Sequence, residues 1–315
     1  MNIRLRRASR AILYIVSISS FTCSAQAADD GWTQLVATWQ QGAQRHLLEI
    51  DNDSLLLNKV DGLYSSGARW RVQAARRQGQ IWRMTEWSLG HQMYTPLDIK
   101  LPPAAVRAPD RPYAAWLYTR VGHQGQMADG SGFGYGLSWG CLGPCAGGEK
   151  VQTRLHRLLR QPEPQAWSRQ MRQEWGLVAD AQWQFARSVL GPNADWQSSA
   201  GLRLGNIHSD ANLGGIFRFG RLNRLPDEPA LYAYLDGAAH LVARDATLQG
   251  GVWRHDNPHT VKPQRWQGRL ALGLEWQGER WSANLALQRR SNAVQGLPAE
   301  QGRQTVVMLG LAYRP

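Results

Sequence analysis

From Trp266 the chain alternates. Trp266, Leu270, Leu272, Leu274 and Trp276 share one parity, and Gln267, Arg269, Ala271, Gly273, Glu275 and Gln277 share the other. A turn at Gly278-Glu279 follows. Then Trp281, Ala283, Leu285 and Leu287 alternate with Ser282, Asn284, Ala286 and Gln288. A period of two is the signature of a strand with one apolar and one polar face. These strands run to about ten residues, enough to cross a bilayer at a tilt, whereas soluble strands average about five or six. The polar face carries Arg, Glu, Gln and Asn. The core of a sandwich would not accept them, and a polar barrel interior would.

The same alternation recurs elsewhere. Phe133, Tyr135, Leu137, Trp139 and Cys141 alternate with Gly132, Gly134, Gly136, Ser138 and Gly140, so that strand has a bulky face and an almost bare one. Roughly a dozen such segments fit between His46 and Tyr313 at ordinary hairpin spacing. The pattern predicts an all-β fold, a transmembrane antiparallel β-barrel of about 12 strands. The ending Ala312-Tyr313-Arg314-Pro315 departs from the terminal aromatic usual for such barrels.

One segment breaks the alternation. Val151, Leu155, Leu158 and Leu159 are spaced as on an amphipathic helix, and Pro162 and Pro164 end it. A short extracellular loop helix near 150–161 is expected. Gln152 and His156, four residues apart, stack on one stripe of it. With Arg154, Arg157 and Arg160 they make a basic helix near a membrane surface.

Composition narrows the compartment. Residues 1–27 read as a secretory signal peptide: Arg4, Arg6, Arg7 and Arg10, then a mostly apolar run from Ala11 to Phe21, then the small-x-small site Ala25-Gln26-Ala27. Removing 27 residues and four arginines from the 315-residue, +12 chain leaves 288 residues at +8, a single domain over 28–315. Cys23 does not follow a lipoprotein cleavage pattern. No later run reaches the ~18 apolar residues of a membrane-spanning helix. Fifteen tryptophans suit the aromatic girdles of a barrel, and equally a glycan-binding sandwich. The excess of arginine on an exported chain points to lipopolysaccharide or acidic phospholipid rather than nucleic acid. Cys141 and Cys145, the only cysteines left after cleavage, are expected to close a local disulfide through Gly143-Pro144.

Candidate chemistry gathers at two places. Asn52-Asp53-Ser54 ends one strand, where Glu49, Asp51 and Asp53 alternate with Leu48 and Ile50. Tyr64-Ser65-Ser66-Gly67 opens the next, where Ser65 shares the polar parity of Gly67, Arg69 and Arg71. A loop of about ten residues would bring the two together at the lumen rim. Turn formation is the bland use of the same residues. With a histidine on the loop helix, the acid, amide and hydroxyl make a set suited to ester hydrolysis: His156 as general base on water or on the serine, an acid to bind a cation or orient the base.

These residues and their order resemble those of the outer-membrane lipid A 3'-O-deacylases. The resemblance rests on Asn52-Asp53, Tyr64-Ser65-Ser66-Gly67, Tyr94-Thr95-Pro96 and Asp110-Arg111-Pro112-Tyr113-Ala114. It continues in Gly143-Pro144, Gly147-Gly148, Gln152 to Arg157, Trp167, Gly205-Asn206 and Thr247-Leu248-Gln249-Gly250. It implies a twelve-stranded barrel whose site lies toward the outer surface, between the wall and a loop helix. It also implies calcium-dependent hydrolysis of the 3'-linked acyloxyacyl chain of lipid A, with a monomer among outer-membrane lipids expected. His156 matches the base that activates water. Asn52, Asp53 and Ser65 match further site positions, and Lys100 matches the active-site lysine. In the family pattern a glutamate lies six residues after the histidine; here Pro162 stands there and the acid is Glu163. Either Glu163 joins Asp53 as a calcium ligand, or cation binding is altered. The rival readings are an outer-membrane phospholipase and a catalytically silent barrel acting as a channel or binding protein.

Overall fold

The computed structural model describes residues 22–53 and 62–315, so most of the expected leader, and Ser54 with the rest of its loop, lie outside the described residues. The strands are β1 (Ala43–Asn52), β2 (Leu63–Gln78), β3 (Ile81–Thr95), β4 (Ala114–Met127), β5 (Gly132–Leu142), β6 (Glu174–Gln184) and β7 (Ser188–Gly191). They continue with β8 (Ala194–Gly205), β9 (His208–Arg221), β10 (Ala230–Asp245), β11 (Trp266–Gln277), β12 (Trp281–Arg290) and β13 (Gln304–Tyr313). Four helices accompany them: α1 (Thr22–Gln41), α2 (Gly148–Leu158), α3 (Ala246–Gln249) and α4 (Ala299–Gly302).

Each strand pairs antiparallel with its neighbours, in the order β6-β5-β4-β3-β2-β1-β13-β12-β11-β10-β9-β8. Pairing of β6 with β8 closes a twelve-stranded barrel, and β7 is an extra strand against β8. Closure removes every free edge of the main sheet, which a bilayer demands because it offers no partner to bare backbone. No described helix is long and apolar enough to cross a membrane.

The hairpin read from the sequence is β11–β12, with Leu272 opposite Leu287 and Leu274 opposite Leu285. Leu270, Leu272, Leu274 and Trp276 are exposed on the outer surface, while Ala271 is buried. Exposed leucines, tryptophans and other apolar side chains at alternate positions of the other strands extend this into an apolar belt, the surface that meets lipid. The bare face of β5 also has a purpose. A Cβ on Gly136 would lie 2.2 Å from Arg120, whose guanidinium occupies the lumen there and bonds Asp180 at 2.8 and 2.6 Å.

That pair is typical of the interior. Arg71 meets Glu49 and Glu86, Arg218 meets Asp195, Arg269 meets Asp236 and Arg290 meets Asp51. Charges inside a narrow barrel persist because each is paired. Polar cavities of about 430, 510 and 560 Å³ lie between them, the first bordered by Arg71 and Arg69, which also line the second and third respectively.

The turns Gly79-Gln80 and Gly278 to Arg280 are short, and the connections at the opposite end, apart from the two-residue turn Asn206-Ile207, are long. Short periplasmic turns and long outer loops orient the barrel. Inside the periplasmic end lies the later part of α1. Its Leu35 carbonyl accepts from Thr85 Oγ1 at 2.9 Å, and its Gly31 carbonyl accepts from Tyr135 Oη at 3.4 Å.

Candidate active site

The expected loop helix is α2, two to three residues earlier at each end than the sequence placed it. A disulfide joins Cys141 at the end of β5 to Cys145 in the 3-10 turn Pro144–Ala146. From that turn the Ala146 carbonyl accepts from His91 Nε2 on the outer wall at 3.0 Å. The helix therefore starts from a fixed point. Its first residue, Gly148, sits so close to the wall that a Cβ would lie 2.6 Å from the Cβ of Ala115 and 2.6 Å from the Trp167 ring.

The helix ends in a Schellman motif. Gln161 N donates to the His156 carbonyl at 2.8 Å and Arg160 N to the Arg157 carbonyl at 3.3 Å, with Arg160 left-handed at φ 54°. This turn folds the chain back over the last helical turn and brings the Pro162 carbonyl to His156. Nδ1 of His156 lies 2.6 Å from that oxygen. A carbonyl can only accept, so Nδ1 carries the proton and Nε2 of the neutral ring keeps its lone pair.

Gly148, Gln152 and His156 form the buried stripe of α2. Gln152 Oε1 accepts from Trp167 Nε1 at 2.8 Å, and Trp167 packs on Tyr113 with ring centres 4.8 Å apart. With Met93, Ala115, Val106, Ala146 and Ala166 these rings form a cluster between the wall and the outer loops. The polar stripe thus faces the outside of the barrel wall.

Asn52 belongs to the same outer face. It follows the parity of Leu48 and Ile50, both exposed, and stands between Val307 and Ser66 in the sheet. The cross-strand row of register partners runs Val307, Asn52, Ser66, Met93, Ala115. Here the structure corrects the expectation that a shared polar parity sends Asp53 and Ser65 together to the lumen rim. A bulge between Tyr64 and Ser66 breaks the alternation. Tyr64 turns inward to Asp51, at 2.9 and 2.7 Å, while Ser65 Oγ meets Thr95 Oγ1 at 2.6 Å. Thr95 has the outward parity of Met93 and His91. Asp53 is held at the rim, where Oδ2 accepts from Gly62 N and from Gln304 Nε2, both at 3.0 Å.

Lys100 is exposed in the loop between β3 and β4. Its neighbour Ile99 is buried, and the Ile99 carbonyl accepts from Gln165 N at 2.9 Å and Tyr113 Oη at 3.2 Å. Lys100 therefore flanks the segment that follows α2. Glu163 is taken by Arg157, which donates from Nε and Nη2 at 2.9 Å each. That paired hydrogen bond, with the charge behind it, holds the Glu163 carboxyl below the usual glutamate range. The two carboxylates expected to share a cation thus have separate engagements. Among the described residues no group of three His, Cys, Asp or Glu side chains is placed to hold a metal.

A family model described as Outer membrane protein LpxR matches residues 12–308. The chain belongs to the LpxR family. It is thus an outer-membrane protein of the lipid A 3'-O-deacylase family, as the sequence resemblance implied. Among solved structures, LpxR from Salmonella typhimurium is 18% identical, covering 85% of this chain and 99% of its own, with a TM-score of 0.71. That likeness shows the fold. The β domain of the Bordetella autotransporter BrkA matches at 11% identity, covering 87% of this chain and 99% of its own, with a TM-score of 0.47. No curated protein matches.

Three site components of this LpxR-family chain escaped the sequence reading. Gln304 accepts from Tyr64 N at 2.9 Å, and its amide donates to Asp53, to the Tyr64 carbonyl at 2.7 Å and to the Gly62 carbonyl at 2.5 Å. It lies 251 residues from Asp53, a distance that only barrel closure spans. Thr95 was quoted in a motif without its serine partner. Pro162 was read as a lost glutamate, and its role is carried by backbone, which no side-chain pattern records.

Proposed function

We propose that this LpxR-family barrel hydrolyses the 3'-linked acyloxyacyl ester of lipid A in the outer leaflet, with His156 as general base. The observation carrying this reading is the His156–Pro162 contact on a helix pressed against the lipid side of the wall. With Nδ1–H committed to a fixed carbonyl, Nε2 is the basic atom, and the carbonyl stabilises the imidazolium that forms when Nε2 takes a proton. Water gives that proton to Nε2 as its oxygen bonds to the acyl carbon. The bond between the acyl carbon and the sugar oxygen then breaks, and the proton passes from Nε2 to the departing sugar oxygen.

Distances along the wall support the placement. From Gly148 to His156, α2 spans about 12 Å. From Ala115 to Asn52 the row crosses three strand spacings, about 14 Å. Were α2 laid along that row from Ala115, His156 would stand above Asn52 and Ser66. The Asn52 amide and the Lys100 ammonium are then the groups suited to oppose oxyanion charge. Ser65, tied to Thr95, acts as a positioning residue for this strand end.

Asn52 and Asp53 offer only oxygen donors, the chemistry calcium prefers, so they are the residues to hold that ion, with Glu163 excluded by Arg157. Bound there, calcium would supply positive charge for the oxyanion. The test is lipid A mass spectrometry from cells carrying wild type or His156→Ala, with calcium varied, alongside purified protein given lipid A or a glycerophospholipid. Loss of the acyloxyacyl chain in wild type alone supports the reading. Deacylation by His156→Ala removes the proposed base, and cleavage confined to glycerophospholipid makes the protein a phospholipase.

A further inference from the structure

The helix α2 has three faces rather than two. At about 100° per residue, Gly148, Gln152 and His156 centre on the wall side. Val151, Leu155 and Leu158 centre about a quarter of a turn away, and Lys150, Arg154 and Arg157 lie nearly opposite the wall, about a further quarter of a turn on. The apolar flank is left open, most of all at its end: Val151 is 46%, Leu155 37%, Leu158 79% and the following Leu159 53% exposed. Such a stripe in water would be costly, and helices that leave one usually rest it on a partner.

The geometry points to the hydrocarbon of the outer leaflet as that partner: α2 lies in the membrane interface with its apolar flank docked on acyl chains. Continuity with the lipid-facing belt carries the assignment. Gly148 rests on Ala115, and the outward positions that follow on β4 are Leu117, Thr119 and the exposed Val121. In the next row, Leu117 pairs Cys141 and Cys141 pairs Trp175. Trp175 stacks on Trp139 with centroids 5.6 Å apart, and both are exposed, as in the aromatic girdle at a membrane boundary. The helix thus continues the lipid surface past the girdle. Its Lys150 and Arg154 are left to anionic headgroups, where basic side chains of interfacial helices belong, while Arg157 is held by Glu163. If the proposed function is right, the acyl chain enters sideways from the leaflet beneath α2. The docking itself does not depend on that reading.

The test needs no turnover. Leu158→Cys, Arg154→Cys and Leu272→Cys variants of the full barrel, each nitroxide-labelled, are reconstituted in phospholipid vesicles, and power-saturation EPR reads collisions with oxygen and with a water-soluble nickel chelate. The Leu158 label is expected to favour oxygen, as the belt position Leu272 does, and to show at least fivefold less nickel contact than the Arg154 label. Nickel contact at Leu158 equal to that at Arg154 overturns the assignment. Dipolar broadening at Leu158 between labelled copies also overturns it, because a second chain is then the occupant. Loss of deacylation in the His156→Ala experiment leaves the EPR result standing, so the two proposals fail separately.

Discussion

Nδ1 of His156 and the carbonyl oxygen of Pro162 are 2.6 Å apart, a side chain oriented by backbone six residues away. The contact depends on the turn, not on the identity of the residue that follows it. Pro162→Ala keeps the carbonyl and loosens only its fixed φ. Deacylation is expected to fall less than tenfold in Pro162→Ala. In His156→Ala it should fall by about 10² or more, the usual contribution of a general base. Nitrogen NMR of the labelled protein should find the His156 proton on Nδ1 in both wild type and Pro162→Ala. A proton on Nε2 would contradict the assigned orientation.

Glu163 and Asp53 make opposite predictions for cation dependence. The Glu163 carboxyl is held below its ordinary range by the hydrogen bond from Arg157. A carboxyl depressed in the folded state contributes stability above its unfolded pKa and loses it as pH falls through the folded value. The Arg157–Glu163 tether is therefore complete at neutral pH and is lost only in acid below the ordinary glutamate range. Since both groups are exposed, the effect on overall unfolding is small. Glu163→Gln should leave half-saturation by calcium within twofold of wild type. Asp53→Asn should raise it tenfold or more, with isothermal calorimetry as the measurement. A large shift in Glu163→Gln would restore that residue as a ligand.

Gln304 is the buried knot between the chain's first and last strands. Removing it strips partners from Tyr64 N, the Tyr64 and Gly62 carbonyls and the Asp53 carboxylate. Leaving such groups unpaired costs about 1–3 kcal/mol each when water cannot reach them. Gln304→Leu should lower the guanidinium midpoint of the barrel by an amount matching about 4 kcal/mol or more, and reduce activity with it. Gln304→Glu retains an acceptor for Tyr64 N but sets a carboxylate against Asp53, and should damage activity more than stability.

What the sequence made legible was periodic. The β11–β12 hairpin announced itself because lipid outside and charge inside enforce strict alternation, and α2 because its apolar residues recur at helical spacing. The bare face of β5 was visible too, although its reason, room for Arg120, needed the neighbouring strands. What stayed hidden was whatever broke period or spanned distance. One extra residue at Ser65 reverses the parity of the strand end, so Tyr64 enters the lumen and the serine does not. Asn52 was read with its acidic neighbour, yet its own parity is that of Leu48 and Ile50. Gln304 carries no local mark, since its partners come from the other end of the chain.

Gly148 is where sequence, packing and chemistry meet most tightly. It opens α2 because nothing larger fits between the helix and the wall: an added Cβ would stand 2.6 Å from the Ala115 Cβ and 2.6 Å from Trp167. Two such approaches cannot both be relieved by rotating a flexible side chain, since Trp167 is itself wedged against Tyr113 and bonded to Gln152. The helix must move off the wall, and His156, eight residues on, moves with it. Gly148→Ala is therefore expected to reduce deacylation tenfold or more, because a displacement of about 1 Å at a reacting group costs that much or more. The twelve-stranded barrel should be unaffected, as judged by its heat-sensitive gel mobility. Adding Ala115→Gly to Gly148→Ala removes one of the two clashes and should recover part of the activity. If Gly148→Ala alone deacylates lipid A at the wild-type rate, the seating of α2 on Ala115 does not set the position of the base.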